Sequence, residues 1–355
     1  MKLKKAFLFL ICLALLSAYL CIPVSAQEEL SISADHAILI EATSGKVIYS
    51  KNANERTQMA STTKIMSTIL TLESGSLDDE FVVDTNAIMV EGSSMGLRPG
   101  DVVTKRILCY GMMLPSGNDA ANASAVAVSG SIDDFVAMMN EKAKALGLEN
   151  TNFVTPSGLD DDTDEHYSTA YDMARLTAYA MQSDDFKEIC STFDISFDVA
   201  EGRKIWLGNS NKLLRYVKGC IGVKTGFTDK AGRCLISAVE RGDVTLICVT
   251  LNAPDDWSDH ETLYDYGFNE ISAYSVGGVY INVPAVGGKT NVATLIAQKD
   301  TLILPKTENT IIDKRVIVPR FIYAPLKSGT AVGRIEYYVD SKLVYTAELV
   351  LAKDI

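Results

Sequence analysis

The chain has 355 residues, with 45 Asp and Glu against 33 Lys and Arg, a formal net charge of −12. That length admits two ordinary domains, and the acidic balance argues against nucleic acid or an anionic lipid surface as the main partner. The seven cysteines include no Cys-x-x-Cys and the three histidines no His-Glu-x-x-His, so the pattern points to no metal, no redox pair and no cofactor.

Lys2, Lys4 and Lys5 precede an apolar run over residues 7–20, and Val24-Ser25-Ala26 supplies small residues for cleavage. Residues 1–26 therefore read as an export signal. Cleavage would remove three lysines and no acid, so −12 becomes −15. Beyond Ala26 no apolar run is long enough to cross a bilayer. Cys109, Cys190, Cys220, Cys234 and Cys248 remain; they read as buried apolar thiols, and no pairing follows from the sequence.

Residues 37–42 and 46–51 read as a β-hairpin around Thr43-Ser44-Gly45. Ile65, Met66, Ile69, Leu70 and Leu72 predict a buried helix with Ser61 at its start. A helical stretch containing Leu108 and Met113 leads to Ser116, and residues 132–146 predict another helix. The acidic run of Asp160, Asp161, Asp162, Asp164 and Glu165 lacks the glycine and spacing of a calcium loop and reads as solvated. Residues 233–239 and 244–251 form a second hairpin. The texture changes near Ala273. Short β-like runs follow, among them residues 332–339, a turn at Asp340-Ser341, and residues 344–350. The expectation is an α/β domain over residues 27–272, its antiparallel sheet closed by the first and last strands. A small all-β domain over residues 273–355 carries no catalytic constellation.

Three motifs stand in order: Ser61-Thr62-Thr63-Lys64, Ser116-Gly117-Asn118 and Lys224-Thr225-Gly226. Ser61/Lys64 is the only Ser-x-x-Lys in the chain, and at helical i, i+3 spacing the amine reaches the hydroxyl. N–H groups of a first helical turn favour an alkoxide and an oxyanion. Each motif alone is weak. Ser61 alone reads as an N-cap, Lys224-Thr225-Gly226 alone as a strand end, and Ser-x-Asn recurs at Ser50-Lys51-Asn52. The ordered triple is the pattern of serine β-lactamases and penicillin-binding proteins.

With these residues the chain resembles the low-molecular-mass penicillin-binding proteins that act as serine-type D-alanyl-D-alanine carboxypeptidases. The likeness extends through Leu114-Pro115-Ser116-Gly117-Asn118-Asp119, Asn150-Thr151-Asn152-Phe153, Ser157-Gly158-Leu159, His166-Tyr167-Ser168, Asn209-Ser210-Asn211-Lys212 and Gly222 to Thr228. It runs from about Ala37 to the C-terminus. The resemblance implies a serine β-lactamase/transpeptidase-like α/β (α+β) domain with an antiparallel sheet and a helical subdomain, followed by a C-terminal β-domain. It implies a peptidoglycan stem peptide ending in D-Ala-D-Ala as substrate, β-lactam antibiotics as inhibitors, and a place outside the cytoplasm, secreted or at the wall. Ser61 would be the nucleophile, Lys64 its base, and Ser116 a proton relay. Asn118 would orient Lys64 or the substrate amide. Lys224 and Thr225 would take the terminal carboxylate, and Gly226 would admit the substrate backbone. The backbone N–H groups of Ser61 and Phe227 would form the oxyanion hole.

Phe227 stands where some members have His. Residues 254–260 hold no arginine where some members have one, so no arginine partner for the carboxylate can be named. The chain shown ends after a β-like run without the amphipathic helix of many members, so no membrane anchor is expected after cleavage. A class A β-lactamase is the nearest rival, but no Glu-x-x-Leu-Asn lies between Asn118 and Lys224. An inactive wall-binding scaffold would have no need of Ser61, Lys64 and Lys224 together.

Overall fold

Alternation along the strands sets the architecture. β1 (His36–Glu41) and β2 (Val47–Lys51) form the first hairpin in antiparallel register. The buried Glu41 carboxylate accepts from Thr43 N–H, Ser44 N–H and the Ser44 hydroxyl, which ties the turn. The computed structural model describes residues 30–160, 163–307 and 310–355. The expected signal segment lies outside them, as do Asp161 and Asp162.

A single 3₁₀ turn (Ala60–Thr63) leads into α1 (Lys64–Glu73). A short ladder of β3 (Phe81–Val82) with β4 (Val102–Val103) precedes α2 (Lys105–Met113), α3 (Asn118–Ser129) and α4 (Ile132–Ala145). The Thr104 and Ser131 hydroxyls accept from Ile107 N–H and Asp134 N–H and so cap α2 and α4. Then come α5 (Ala170–Ala180), α6 (Asp184–Ser191), the hairpin of β5 (Asp194–Ala200) and β6 (Arg203–Gly208), and the one-turn α7 (Leu213–Tyr216). β7 (Cys220–Thr228), β8 (Gly232–Arg241) and β9 (Val244–Leu251) precede α8 (Asp256–Glu270).

The main sheet has the order β2-β1-β9-β8-β7 and is antiparallel throughout, with the first hairpin paired to β9 (His36 opposite Leu251). The period of two divides its side chains between two faces. Ile38, Ile40, Ile236 and Val249 join the core built from the helices, with Met66, Leu108 and Met173. Leu39 and Leu246 face α8, where Gly267 lets the helix approach. On that face Ser237 and Thr250 bond the two nitrogens of His260 at 2.6 and 3.0 Å. Burial holds the His260 pKa down at about 3, so this neutral imidazole ties α8 to the sheet.

β10 (Ile271–Val276) follows α8 directly and pairs with β13 (Asp300–Pro305). The expected change of texture at Ala273 thus falls inside a strand. β11 (Val279–Val286), β12 (Val292–Ala297), β14 (Ile312–Ile317), β15 (Ile322–Tyr323), β16 (Ala331–Val339) and β17 (Lys342–Leu351) complete a six-stranded sheet, ordered β14-β16-β17-β12-β11-β15. It closes over a core of Val283, Leu295, Ile335 and Leu349. Asp340 and Ser341 both take positive φ (48° and 64°), the conformation of a two-residue primed turn whose twist matches the flanking strands.

A Cβ at Gly267 would overlap Leu39 Cδ2 and lie 2.9 Å from Leu246 Cδ1. Alanine gains about 1 kcal/mol of helix propensity, but overpacking costs about 1–3 kcal/mol. Gly267→Ala should therefore lower stability by about 1 kcal/mol, seen as a lower urea midpoint with unchanged slope. A stabilised variant would show that α8 has room to spare.

Candidate active site

Ser61 lies one turn earlier than the sequence suggests. It sits in the 3₁₀ turn, three residues before α1 begins, and its side chain caps no helix. Ala60, just before it, has φ 47°, a left-handed backbone that alanine rarely adopts. Two glycines make room for this turn. Gly158, at φ 89°, lies so close that a Cβ would overlap the Ala60 carbonyl oxygen. A Cβ at Gly226 would lie 3.1 Å from Ala60 Cβ and Ser61 N. The sequence reading gave Gly226 to the substrate backbone; its position against the nucleophile turn is reason enough for a glycine.

Lys64 is fully buried, and its amine donates at 2.9 Å to Ser61 Oγ, 2.8 Å to Asn118 Oδ1 and 2.7 Å to the Ser157 carbonyl. These three bonds use all the donors of an ammonium. Burial first, and then the Lys224 charge, lower the Lys64 pKa well below the lysine range, with Asp119 pulling the other way. Lys224 is also fully buried; burial takes it down to about 7, and its amine donates to the Thr225 carbonyl at 2.8 Å.

Strand register explains why Lys224 points where it does. Lys224 pairs with Ile236 and Gly226 with Cys234, all on the face toward the helices and the nucleophile turn. Thr225 pairs with Leu235 and Phe227 with Arg233, on the α8 face. β7 is an edge strand, so a cleft of about 340 Å³ wraps its free edge. Ser61, Ser93, Pro115, Ser116, Ser210, Lys212, Thr225, Gly226, Phe227, Arg233, Asp256 and Trp257 line it.

All eight residues singled out from the sequence thus meet around this cleft or its buried lysines. Ser116 reaches it from the loop between α2 and α3, at φ 69°. Lys64 bonds Ser61, Asn118 and Ser157 rather than Ser116, so the expected relay is a cleft neighbour and not a resting partner of the amine. Thr225 Oγ1 lies 2.7 Å from Ser210 Oγ, which donates to the Leu114 carbonyl. The Thr225 hydroxyl must therefore turn away from Ser210 to donate to a ligand.

Three contributors have no role that the sequence alone assigns. Ser157 lies in a motif of the resemblance, but it offers Lys64 only its carbonyl, so its residue type signals no role. Asp119 accepts from the N–H groups of Met95, Gly96 and Leu97 and from the Ser94 hydroxyl, and so folds the loop that carries Ser93 over the cleft. Arg233 lies in the cleft wall, bonded through Nε and Nη2 to Asp256 at 3.1 and 2.7 Å and 5.7 Å from the Trp257 ring. Counting the second hairpin back to Phe227 would have placed it there.

Among the described residues no group of three or more His, Cys, Asp or Glu is placed to hold a metal ion. Lys230 pairs with Asp164, and Asp160 is buried, accepting from the Thr228 hydroxyl at 3.2 Å. Asp160 is thus packed, whereas Asp164 and Glu165 are exposed, as expected of a solvated loop. The five cysteines are free thiols, four buried and Cys220 partly so.

Profiles built from known families match both parts of the chain. The one described as D-alanyl-D-alanine carboxypeptidase spans residues 23–255. The chain belongs to this D-alanyl-D-alanine carboxypeptidase family. Residues 268–355 match the penicillin-binding protein 5 C-terminal domain. The chain is 32% identical over 340 residues to D-alanyl-D-alanine carboxypeptidase DacF of Bacillus subtilis, covering 92% of this chain and 87% of that one. Penicillin-binding protein 5 of Haemophilus influenzae superimposes with TM-score 0.74 at 28% identity, over 91% of this chain and 98% of its own. The Streptomyces K15 DD-transpeptidase gives TM-score 0.64 at 32% identity, over 67% of this chain and 98% of its own. The fold is that of these carboxypeptidase-family proteins, a mixed α/β domain with an antiparallel sheet and a C-terminal β domain.

In this carboxypeptidase-family site the Lys224 charge is one of the causes that lower the Lys64 pKa. Lys224→Gln removes that charge, so the Lys64 pKa should rise. The acid limb of the pH profile for penicillin acylation should then move to higher pH. The check is stopped-flow acylation with a fluorescent penicillin from pH 5 to 9; a limb that stays put or moves down would separate the two lysines electrostatically.

Proposed function

We propose that the chain is a serine-type D-alanyl-D-alanine carboxypeptidase that removes the terminal D-Ala from peptidoglycan stem peptides through a Ser61 acyl-enzyme. The observation that carries this reading is the buried, depressed Lys64 amine 2.9 Å from Ser61 Oγ. The substrate lies along the edge of β7 with its terminal carboxylate toward Lys224 and Thr225. Neutral Lys64 takes the Ser61 proton as Oγ attacks the penultimate carbonyl. The tetrahedral oxyanion is held by the backbone N–H groups of Ser61 and Phe227, each worth about 3 kcal/mol. The proton passes by way of Ser116 to the departing amine, the C–N bond breaks, and D-Ala leaves. Asn118 keeps Lys64 in place. Water then attacks the ester, Lys64 takes its proton, and Ser61 is restored. A β-lactam enters by the same attack, with its ring amide in place of the peptide bond.

The substrate is a component of the cell wall, so the reading also places the protein outside the cytoplasm, with residues 1–26 as its export signal. No step calls on a metal or cofactor.

Mass spectrometry of the purified protein with penicillin and with a peptide ending in D-Ala-D-Ala tests the assignment. Wild type should carry one penicilloyl group on Ser61 and release D-Ala. Ser61→Ala should lose the adduct and lower turnover by about 10⁴-fold or more. A stoichiometric adduct on the variant would remove Ser61 from the mechanism. Prolonged EDTA treatment should leave D-Ala release unchanged; loss restored by zinc would contradict the serine pathway.

A further inference from the structure

His166 has no part in the chemistry above, yet it is fully buried behind the nucleophile. Its two ring nitrogens face different segments. Nδ1 accepts from Val154 N–H at 3.0 Å. Nε2 lies 2.8 Å from Thr63 Oγ1, and the Thr63 hydroxyl donates at 2.8 Å to the Ala60 carbonyl. These directions leave one consistent assignment. Nδ1 has no proton, Nε2–H donates to Thr63, and Thr63 passes its own proton to Ala60. The ring must be neutral for this, and burial first, then the Lys64 charge, hold its pKa down at about 4.

Each end of this relay touches one half of the Ser–Lys pair. Ala60 carries the left-handed backbone that presents Ser61. Val154 opens the segment whose Ser157 carbonyl accepts from Lys64. The same segment is pinned from α1 by the Ser67 hydroxyl on the Pro156 carbonyl, at 2.6 Å. We propose that His166 is a positioning residue that clamps the nucleophile turn to the 154–157 segment and so sets the Ser61–Lys64 geometry. It does this through Thr63 on one side and Val154 on the other. Catalysis is steep in such geometry, since a misplacement of about 1 Å costs roughly 100-fold.

The inference rests on the Ser61 acyl-enzyme reading, and its test separates the two. His166→Asn keeps an acceptor near Nδ1 but cannot reach Thr63. His166→Gln places an amide donor near Nε2 and keeps the Thr63 bond. Thr63→Val breaks the relay without touching the imidazole. With penicillin and with a D-Ala-D-Ala peptide, His166→Asn and Thr63→Val should acylate about 10- to 100-fold more slowly. KM should stay near the wild-type value, and His166→Gln should recover most of the rate. The double variant should be no slower than either single one. Should His166→Asn fail to fold, Thr63→Val carries the same comparison, with thermal melting as the control for folding. Wild-type acylation rates in folded Thr63→Val, or His166→Gln as slow as His166→Asn, would overturn the clamp alone. A wild-type protein that takes no adduct on Ser61 would overturn the nucleophile reading and the clamp with it.

Discussion

A primary amine held out of water beside a hydroxyl is the constraint on which the site depends. Lysine enters an apolar interior only if acceptors meet its donors or its proton is given up. Here both conditions are prepared. Ser61, Asn118 and Ser157 surround Lys64 with three acceptors, and Lys224 makes the charged form costly. The acceptors come from the 3₁₀ turn, the start of α3 and the loop before α5, while Lys224 comes from β7. No local element could assemble them. The antiparallel sheet provides the reference surface, because its period of two sends Lys224 toward the helices and Phe227 the other way.

The motifs were legible because their chemistry resides in side chains at short spacing. Ser61, Lys64, Ser116, Asn118, Lys224 and Thr225 could all be named from residue type and order. The residues that hold them were less visible. Ser157 contributes a carbonyl, which any residue type would offer. Asp119 acts by accepting three backbone N–H bonds from a loop more than twenty positions away, and Arg233 enters through strand pairing. The start of α1 was misplaced by a turn, since one turn of 3₁₀ has the same apolar spacing as helix over so short a stretch. The hairpins were easier to see, because alternation and turns such as Thr43-Ser44-Gly45 or Asp340-Ser341 are local signals. α3, rich in alanine and flanked by glycines, carries little periodicity and is recognised only once packed.

Glycines show how tightly the parts depend on one another. Gly158 and Gly226 approach the same four-residue turn from two sides, one from a loop and one from a strand. The turn is thus shaped by its neighbours as much as by its own sequence, which is how Ala60 is kept at a positive φ that it would leave if free. The α8 side is built differently. There a histidine, a serine, a threonine and Tyr264 satisfy one another in a sealed network, and Gly267 closes the remaining distance. One face of the sheet meets the nucleophile turn and carries the buried Lys224, and the other is closed for most of its length by this network.

β7 ends the sheet, and its outer side is left open to the cleft. An open strand edge accepts any extended chain, and proteins usually cover, shorten or charge such edges to avoid sticking to one another. Along β7 only Thr225, Gly226 and Phe227 line the cleft, while toward the start of the strand Cys190 of α6 covers the edge and bonds the Ile221 carbonyl. Ser93, Pro115, Arg233 and Trp257 are among the residues that wall the open stretch. Exposure of the edge is thereby confined to the stretch beside Ser61.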